Sequence, residues 1–407
     1  MRIALATVGT AGDVRPFAVL ARALVERGHA VTAVTWPVHR AALAGPGIRV
    51  ELAGPHADPA RIEAVAADAA GRGPMEQVAI LRDFHLADGE SHLRRLREVL
   101  PGHDLVVLHG IHALAHAAVL DEGLPWASAV FDPVLLPTAT APPPGLPNLG
   151  PANPLAWRML DAALSRVGRP LDELLARAGS NQGSLPLFRA RSDFLHLVAC
   201  SPSIVRVPSD LPAGTSITGA WLDRSPPSPL PMEVEAFLAG GPEPIVVTFG
   251  SMRGIAADEL RAAVDLLIAD GRRVIVQGPL AGGDDPSSLL PAGSLDHRAL
   301  FSRAGLVIHH GGAGTTHAVV AAGVPSVVVP HVGDQRYWAD RLRRLGVAPK
   351  PIRLDRFSAR ELAAAATATA DDRSARDAAR ALAARVNVED GIAVSCSLIE
   401  RAVGRAP

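Results

Sequence analysis

Short apolar runs alternate with helical patterns along the 407-residue chain, and this alternation is the feature that most limits its fold. Each run has the length of a buried strand, and the segments between runs have the apolar spacing of an amphipathic helix. The predicted strands are Ile3 to Val8, Ala30 to Thr35, Ile48 to Leu52, Leu105 to Leu108, Ala127 to Phe131, Leu195 to Cys200, Ile245 to Phe249, Val274 to Gln277, Leu306 to His309 and Ser326 to Pro330. Alternation at this spacing predicts an α/β protein whose parallel sheets are covered by helices on both faces.

The clearest helical patterns run from Arg15 to Arg27, from Gln77 to Leu100 and from Leu155 to Ala178. A further Ala-rich pattern runs from Ser374 to Val403 and is broken near Val386 to Gly391. We expect its last part to fold back across the domain junction.

Chain length and two irregular segments predict the domain organisation. A chain of 407 residues exceeds what one core usually supports, which favours two domains. Residues 137–154 are too rich in Pro and Gly for regular structure and predict a long surface loop, while residues 223–244 resemble a linker. We therefore expect an N-terminal domain at 1–222, a linker at 223–244, a C-terminal domain at 245–385 and a returning C-terminal helix at 386–407.

Composition excludes several classes of protein. Forty Lys and Arg against 41 Asp and Glu leave no basic excess for a nucleic-acid partner. No apolar stretch is long enough to span a membrane, and the N-terminus lacks the features of a signal peptide. Two cysteines, Cys200 and Cys396, form neither a disulfide framework nor a zinc motif. These observations favour a cytoplasmic protein without a membrane span.

The most specific motif begins where the strand Leu306 to His309 ends. Three glycines, Gly311, Gly312 and Gly314, would allow backbone N–H groups to approach an anion closely. Thr315 and Thr316 add hydroxyl groups at a helix N-terminus, which favours negative charge. The motif predicts a site for a phosphate or diphosphate, although an ordinary connection between a strand and a helix would also explain a bare glycine cluster.

The next predicted strand, Ser326 to Pro330, ends close to Asp334 and Gln335. Ligands of α/β sheets bind at the carboxyl ends of parallel strands, and adjacent carboxylate and amide groups suit sugar hydroxyls. This segment therefore predicts a sugar-binding position beside the phosphate site.

The first strand of each domain leads into a turn of small residues. Strand Ile3 to Val8 is followed by Gly9 and Asp13, and strand Ile245 to Phe249 is followed by Gly250 and Ser251. If the two sheet edges face each other across a cleft, Asp13 would point towards the ligand of the second domain. Alternatively, Asp13 is the N-cap of a helix that begins near Val14.

Three collinear motifs, GTAGDVRPF, VTFGSM and HHGGAGTTHAVVAAGVPSVVVPHVGDQ, resemble those of the bacterial branch of family 1 glycosyltransferases, which includes glycopeptide, macrolide and sterol glycosyltransferases. The resemblance covers about 100 residues strongly and touches both domains. It implies the GT-B fold, in which two facing Rossmann-like, doubly wound domains bind acceptor and nucleotide sugar at an interdomain cleft. It also implies transfer with inversion at the anomeric carbon.

The resemblance implies roles for individual residues. The donor diphosphate would contact Ser251, His310, Gly312, Gly314 and Thr315, with His310 charged or polarised. Asp334 and Gln335 would contact the donor sugar. Asp296 and His297, in GSLDHRALFSR, fall near the nucleobase contact. Asp13 matches the position of the base that removes the acceptor proton.

One departure from the family pattern concerns the partner of this base. Members that use His as base orient it with an Asp after a later strand, but this chain has His109 there and no carboxylate before Asp121. Asp13 would then act alone or with a neighbouring histidine. The candidate acceptor region comprises Thr10, Phe84, His109, His112 and Phe131. Core packing is the more usual duty of such aromatic residues, and the two histidines are more often merely buried or solvated side chains.

Together these observations predict an inverting glycosyltransferase that moves a sugar from a UDP- or dTDP-sugar to a hydroxyl of a small hydrophobic natural product. No metal or other cofactor is expected, because backbone and hydroxyl donors would replace the metal, and Asp284 and Asp285 lie in a turn-like run. A monomer or homodimer is expected. Two alternatives remain open: a nucleotide-sugar 2-epimerase of the same fold, and a non-catalytic homologue that binds a partner or ligand.

Overall fold

The computed structural model describes residues 1–144, 146–250, 252, 254–278, 280 and 285–404. The chain divides into two units. The N-terminal unit comprises Met1–Val65, Gly73–Asp223 and the chain from Asp390, and the C-terminal unit comprises Ala66–Arg72 and Arg224–Glu389. No helix in the described part of the chain is both long and apolar enough to cross a membrane.

The strands of the described residues form two parallel sheets. They are β1 (Arg2–Ala6), β2 (Ala30–Thr35), β3 (Ile48–Leu52), β4 (Leu105–His109), β5 (Trp126–Val130), β6 (His196–Val198), β7 (Thr215–Ile217), β8 (Ile245–Thr248), β9 (Val274–Gln277), β10 (Leu289–Ala292), β11 (Leu306–His309) and β12 (Ser326–Val328). The sheet of the N-terminal unit has the order β3-β2-β1-β4-β5-β6-β7, and that of the C-terminal unit has the order β10-β9-β8-β11-β12. The prediction of parallel sheets in an α/β protein is confirmed.

Each sheet reverses its winding direction at its first strand. In the N-terminal unit β1 lies between β2 and β4, and in the C-terminal unit β8 lies between β9 and β11. The registers pair Ile3 with Leu105 and Leu306 with Ile245. Loops that leave β1 and β4, or β8 and β11, therefore diverge at one sheet edge, the position at which α/β sheets bind ligands.

Helices pack on these sheets because the strands carry apolar residues on both faces. The helices of the described residues are α1 (Ala11–Glu26), α2 (Arg40–Leu43), α3 (Pro59–Ala69), α4 (Pro74–His85), α5 (Gly89–Val99), α6 (Ala113–Asp121), α7 (Asn153–Arg177), α8 (Met232–Ala239), α9 (Ala257–Ala269), α10 (His297–Phe301), α11 (Ala313–Ala322), α12 (Gln335–Arg344), α13 (Ala359–Asp371), α14 (Arg373–Val386) and α15 (Gly391–Val403).

The helix expected from Gln77 to Leu100 is wrong as a single element, because the chain forms α4 and α5 with a break between them. Asp88, the N-cap of α5, adopts a left-handed conformation at φ 55°, which a continuous α-helix cannot contain. Gly89 then packs against α7, where an added Cβ would lie 2.2 Å from Cδ1 of Leu174. Tertiary packing therefore redirects a helix that local periodicity alone would continue.

Two irregular segments also contain structure. In residues 223–244, α8 buries Val234 and Phe237 in an apolar cluster that includes Ile275. In residues 137–154, the side chain of Asn153 holds the loop, since its Nδ2 donates to the carbonyl of Ala139 at 2.9 Å. The Pro-rich loop is thus tied to the start of α7.

Candidate functional site

Asp13 lies in the first turn of α1, directly after β1. Thr10 is the N-cap of this helix, and its backbone N and Oγ1 donate to Oδ2 of Asp13 at 2.7 and 2.8 Å. This is a capping box, in which the acidic side chain of the third helical residue satisfies the backbone of the N-cap. The expectation that Asp13 is itself the N-cap of a helix starting near Val14 is corrected, because the helix begins at Ala11.

The capping box commits only one carboxylate oxygen of Asp13. Within the described residues, no hydrogen bond reaches Oδ1, and the side chain is half-buried. The turn before it depends on Gly9, which has φ 113° and whose added Cβ would lie 2.5 Å from Oδ2 of Asp13. The loop therefore fixes Asp13 in place and leaves one basic oxygen uncommitted.

His109 ends β4, the strand beside β1. It is buried, and its ring centroid lies 5.6 Å from that of Phe17 and 5.0 Å from that of Phe131. Burial lowers the pKa of His109, and the nearby charge of Asp13 opposes this shift. A neutral histidine therefore neighbours Asp13 at the point where the sheet reverses.

Asp132 is a second carboxylate at this edge, and the sequence analysis did not single it out. It follows β5, the next strand after β4, and its Oδ1 accepts from the backbone N of Val134 at 2.8 Å. Burial raises the pKa of Asp132 to about 6, and the charge of Asp13 adds to the shift. The only available signal was position, because a carboxylate directly after a buried parallel strand lies at the ligand-binding edge.

The other acceptor-region candidates belong largely to the interior. Phe131 packs with Phe17, His109 and Trp221, and Phe84 packs edge-on against Trp36 with centroids 5.3 Å apart. His112 caps α6 through Nδ1, which accepts from the backbone N of Ala115 at 3.3 Å, and burial lowers its pKa well below the usual value. Thr10 is the candidate whose backbone and hydroxyl hold Asp13. Asp121, further along α6, is paired with Arg97 at 2.5 Å.

In the C-terminal unit, the glycine loop between β11 and α11 has the geometry of an anion site. Gly311 has φ 87°, and Gly312 is the N-cap of α11. Gly314 is exposed, with no atom within 4 Å of an added Cβ, and Thr315 is half-buried. Backbone N–H groups at the start of the helix and the Thr315 hydroxyl can therefore face a ligand without steric obstruction.

His310 lies against this loop. An added Cβ at Gly312 would lie 2.5 Å from Nε2 of His310, so only glycine accommodates the ring there. Burial lowers the pKa of His310 to about 3, and the backbone of Thr248 opposes this shift. The imidazole is therefore neutral at pH 7, which favours the polarised form of His310 over the charged form.

Asp334 and Gln335 follow β12 at the same sheet edge, but both already make structural contacts. Oδ2 of Asp334 accepts from Nε1 of Trp338 at 2.6 Å. Oε1 of Gln335 accepts from the backbone N of His331 and of Val332 at 2.7 and 3.0 Å. Their predicted role at the sugar stays a prediction, and for Gln335 it would fall to the amide NH₂ group.

Asp296 and His297 follow β10 at the far side of the same sheet. Asp296 caps α10 and pairs with Arg298 at 2.7 Å, which lowers the pKa of this carboxyl to about 2. His297 stacks on Phe301 with ring centroids 4.4 Å apart. The carboxylate is therefore occupied by protein groups, and a nucleobase contact in this region remains a prediction.

Two predicted positions lie outside the described residues. They are Ser251, expected at the diphosphate, and Asp284, expected in a turn. The neighbouring Gly250 has φ 58° and lies close to Cε1 of His310, which an added Cβ would approach to 3.5 Å. Asp285 is exposed and accepts hydrogen bonds from Ser287 and Ser288.

Among the residues that the structure describes, no three His, Cys, Asp or Glu side chains are grouped so that they could hold a metal ion.

Comparisons with known proteins agree with this arrangement. Residues 286–390 match the family model of the erythromycin biosynthesis protein CIII-like C-terminal domain. The chain is 32% identical to the O-mycaminosyltylonolide 6-deoxyallosyltransferase of Streptomyces fradiae, over 98% of this chain and 97% of that protein. It is 33% identical to the vancomycin aglycone glucosyltransferase of Amycolatopsis orientalis, over 100% of this chain and 98% of that protein.

Among solved structures, the chain is similar to the glycotransferase of kitacinnamycin, with a TM-score of 0.75, 20% identity and 99% of both chains covered. This likeness concerns the fold, and the prediction of a GT-B fold is confirmed.

Proposed function

This chain belongs to the family of glycosyltransferases of natural-product biosynthesis, and from that premise we propose its reaction. It transfers a sugar from a UDP- or dTDP-sugar to a hydroxyl group of a hydrophobic natural product. Transfer inverts the anomeric carbon and needs no metal ion. The N-terminal unit supplies the base, and the C-terminal unit receives the departing diphosphate.

The observation that carries this proposal is the pattern of hydrogen bonds at the Asp13 carboxylate. One oxygen is fixed by two hydrogen bonds from Thr10, which positions the carboxylate, and Oδ1 stays available for the acceptor hydroxyl. A base held in one orientation within hydrogen-bond reach of the nucleophile satisfies the geometric requirement of general base catalysis. The acceptor proton would pass to Oδ1 of Asp13 as the acceptor oxygen bonds to the anomeric carbon.

Asp132 and His109 would tune this base. A carboxyl whose pKa burial raises to about 6 exchanges its proton near physiological pH, and the neighbouring charge of Asp13 contributes to that value. His109 stays neutral and therefore adds no positive charge beside Asp13 at pH 7. The protonation of Asp132 would thus control how much negative charge surrounds Asp13.

The bond between the anomeric carbon and the diphosphate breaks in the same step, and its electron pair leaves with the diphosphate. Hydrogen-bond donors would stabilise the negative charge on this leaving group. They are the backbone N–H groups of Gly312 and Gly314, the hydroxyl of Thr315 and the predicted contact at Ser251. Donors already oriented in the free protein stabilise charge that develops in the transition state without reorganisation. Neutral His310 would add one N–H donor, while Asp334 and Gln335 would orient the sugar.

The test compares Asp13→Asn with the wild-type enzyme, using UDP- and dTDP-sugars, a panel of aglycones and mass spectrometry in the presence of EDTA. Removal of a general base is expected to lower kcat/KM about 10²- to 10⁴-fold, while UDP or dTDP affinity measured by calorimetry changes less than about twofold. The exposed Asp285→Asn serves as the matched control. Turnover by Asp13→Asn at the wild-type rate, or product formed without an acceptor, would overturn the proposal.

Asp132→Asn tests whether the ionisation of Asp132 affects the base Asp13. In the wild-type enzyme, the acid limb of kcat/KM is expected to include an ionisation near pH 6, because Asp132 loses its charge as the pH falls through this value. This ionisation should be absent from the variant. An unchanged acid limb in Asp132→Asn would contradict the role of Asp132 without affecting that of Asp13.

A further inference from the structure

A narrow cavity lies within the N-terminal unit, where the end of β2 meets α4, α5 and α6. Its lining includes Trp36, His85, His92 and His112, with apolar walls that include Val8 and Phe188. We call it the histidine notch. As it stands, it has room for one group about the size of a water molecule or a hydroxyl.

Two residues that line the notch carry buried polar atoms without partners. Among the described residues, Nε1 of Trp36 and both ring nitrogens of His92 have no hydrogen-bond partner, although Trp36 is 0% and His92 2% exposed. An added Cβ at Gly54 would lie 2.6 Å from Nε1 of Trp36 and 3.1 Å from Cε1 of His92, so the two rings converge. Buried polar groups in proteins are nearly always paired, and unpaired ones are destabilising. These three atoms therefore point to a guest that can both donate and accept.

The charge of the notch limits the chemistry of this guest. Burial lowers the pKa of His85 to about 3 and that of His92 to about 4. Burial also lowers the pKa of His112 well below its usual value, and neighbouring histidines add to the shift. All three histidines are therefore neutral at pH 7, so they supply no cation to balance a carboxylate. A neutral guest is favoured over an anion.

One wall of the notch is held in an unusual backbone conformation. Phe188 has φ 58°, a left-handed value that is rare and costly for an aromatic residue. Its ring centroid lies 5.2 Å from that of His85. The strained residue thus contributes its side chain directly to the wall of the notch.

We propose that the histidine notch recognises one neutral hydroxyl group on a ring of the acceptor, which it binds between the indole N–H of Trp36 and a ring nitrogen of His92. The inference rests on the proposed transferase function, because it assigns part of the acceptor to the N-terminal unit. The hydroxyl would accept from Trp36 and donate to His92. Because the notch as it stands fits only a hydroxyl, its apolar walls would move apart to contact the ring that bears it. It is a recognition group, distinct from the hydroxyl that Asp13 would deprotonate.

The test measures binding directly and does not require turnover. The probes are phenol, its near-isostere fluorobenzene, and benzoate. The protein has five tryptophans, and the indole N–H signal of Trp36 is identified by its loss in Trp36→Phe. Titration of ¹⁵N-labelled full-length protein then follows this signal by NMR. Phenol is expected to bind at least tenfold more tightly than fluorobenzene and benzoate, because a site built for a hydroxyl discriminates strongly against its absence.

His92→Phe should reduce phenol affinity to that of fluorobenzene. His116→Phe is the matched control, since His116 is buried in the same unit with a pKa lowered to about 4 but does not line the notch. This control should retain the preference for phenol. If His92→Phe does not fold, the preference in Trp36→Phe is measured by the ring signals of ¹⁵N-labelled histidine, and it should be lost there as well.

Equal affinity for phenol and fluorobenzene in the wild-type protein would overturn the proposal, as would tighter binding of benzoate or an undiminished preference for phenol in His92→Phe. A crystal structure with only water at Trp36 and His92 under saturating phenol would also overturn it. Failure of the transferase proposal is recognised separately, by absence of acceptor-dependent product in the wild-type enzyme.

Discussion

Gly9 is the residue on which the orientation of Asp13 depends most. Its φ of 113° is accessible to glycine but strained for any residue with a side chain, and an added Cβ would also meet the carboxylate of Asp13 at 2.5 Å. The same glycine accepts a hydrogen bond at its carbonyl from Nε2 of buried His39, at 2.8 Å. The loop is therefore fixed at Gly9, directly before the turn that carries Asp13.

Gly9→Ala should lower both stability and activity. We expect a loss of about 1–3 kcal/mol in the free energy of unfolding, from backbone strain and overpacking, and a fall in kcat/KM of at least tenfold. Gly28→Ala is the control, because Gly28 also has a positive φ, 84°, but nothing lies within 4 Å of its added Cβ. Urea unfolding and steady-state kinetics separate the two effects. Equal kinetic losses in both variants would show that strain alone, and not contact with Asp13, is responsible.

Much of the candidate site was accessible from sequence because its residues occur in local motifs. The glycines after β11 and the Gly-to-Asp turn after β1 combine several unusual residues within a few positions. Asp132 has no such context, since it follows Phe131 in an otherwise ordinary segment. Its relation to Asp13 depends on β4 lying between β1 and β5, which is a long-range pairing. The unpartnered nitrogens of His92 likewise depend on packing that no local pattern encodes.

At the scale of secondary structure, α15 is the last helix of the chain, yet it packs against elements from the beginning of the sequence. It packs against α1, and Nε1 of Trp221 donates to Oγ of buried Ser395 at 2.7 Å. Glu400 also binds Arg27 at 2.9 Å and His29 at 3.0 Å. Trp221 belongs to the aromatic cluster with Phe17 and Phe131, so α15 supports the residues that pack beneath β1 and β4.

Gly391→Ala tests whether α15 must pack directly against the backbone at Gly219. An added Cβ at Gly391 would lie 2.3 Å from the carbonyl oxygen of Gly219, and backbone atoms cannot give way as a flexible side chain would. We expect a loss of about 1–3 kcal/mol in the free energy of unfolding of the N-terminal unit. Hydrogen exchange at backbone amides of α15 should accelerate.

The control for this prediction is Gly404→Ala, at the other end of α15. Its added Cβ would lie 3.8 Å from the nearest atom, so a change within about 0.5 kcal/mol is expected. Wild-type hydrogen exchange in Gly391→Ala would mean that the N-terminus of α15 can shift without cost.

Elements that the sequence analysis missed are short or atypical. β7 has three half-buried residues, and β10 contains Pro291, which cannot donate a backbone hydrogen bond. Both stand at the margins of their sheets, where such residues are tolerated. Central strands are buried on both faces and carry continuous apolar runs, which explains why all of them were recognised.

At the scale of the whole molecule, an unusual property is the number of histidines that the fold keeps neutral. Burial lowers the pKa to about 3 in three of them and to about 4 in four; in order of residue number they are His85, His92, His116, His196, His309, His310 and His317. Below pH 6.5 these histidines therefore bind protons in the unfolded chain but stay unprotonated in the folded chain. Stability from these groups is complete above pH 6.5 and is lost as the pH falls below it.

We therefore expect the free energy of unfolding to fall between pH 7.5 and pH 5.5, by up to about 1.4 kcal/mol for each of these histidines. Asp132 acts in the opposite direction below pH 6, because its pKa is raised, but it is a single group. Urea unfolding at the two pH values measures the difference. His116→Phe should reduce the pH dependence by the contribution of one histidine. A free energy that does not change between these pH values would show that the histidines become protonated without unfolding.

The fold class followed from alternation along the chain, whereas the strand order did not. Alternating strands and helices specify that sheets are parallel and covered on both faces, but several windings satisfy that rule. Which strand neighbours β1 is decided by packing across about 100 residues, as in the pairing of Ile3 with Leu105. The GT-B architecture was identified only through its motifs.

The placement of α15 determines the order in which the protein can be completed during synthesis. The N-terminal unit begins at Met1, but its last helix is translated only after all of the C-terminal unit, from Arg224 to Glu389. Until α15 has been translated, Trp221 lacks the hydroxyl of Ser395, and α1 lacks the helix that covers it. The N-terminal unit therefore finishes folding only after the C-terminal unit has been translated, and Asp13 is fully supported only from that point.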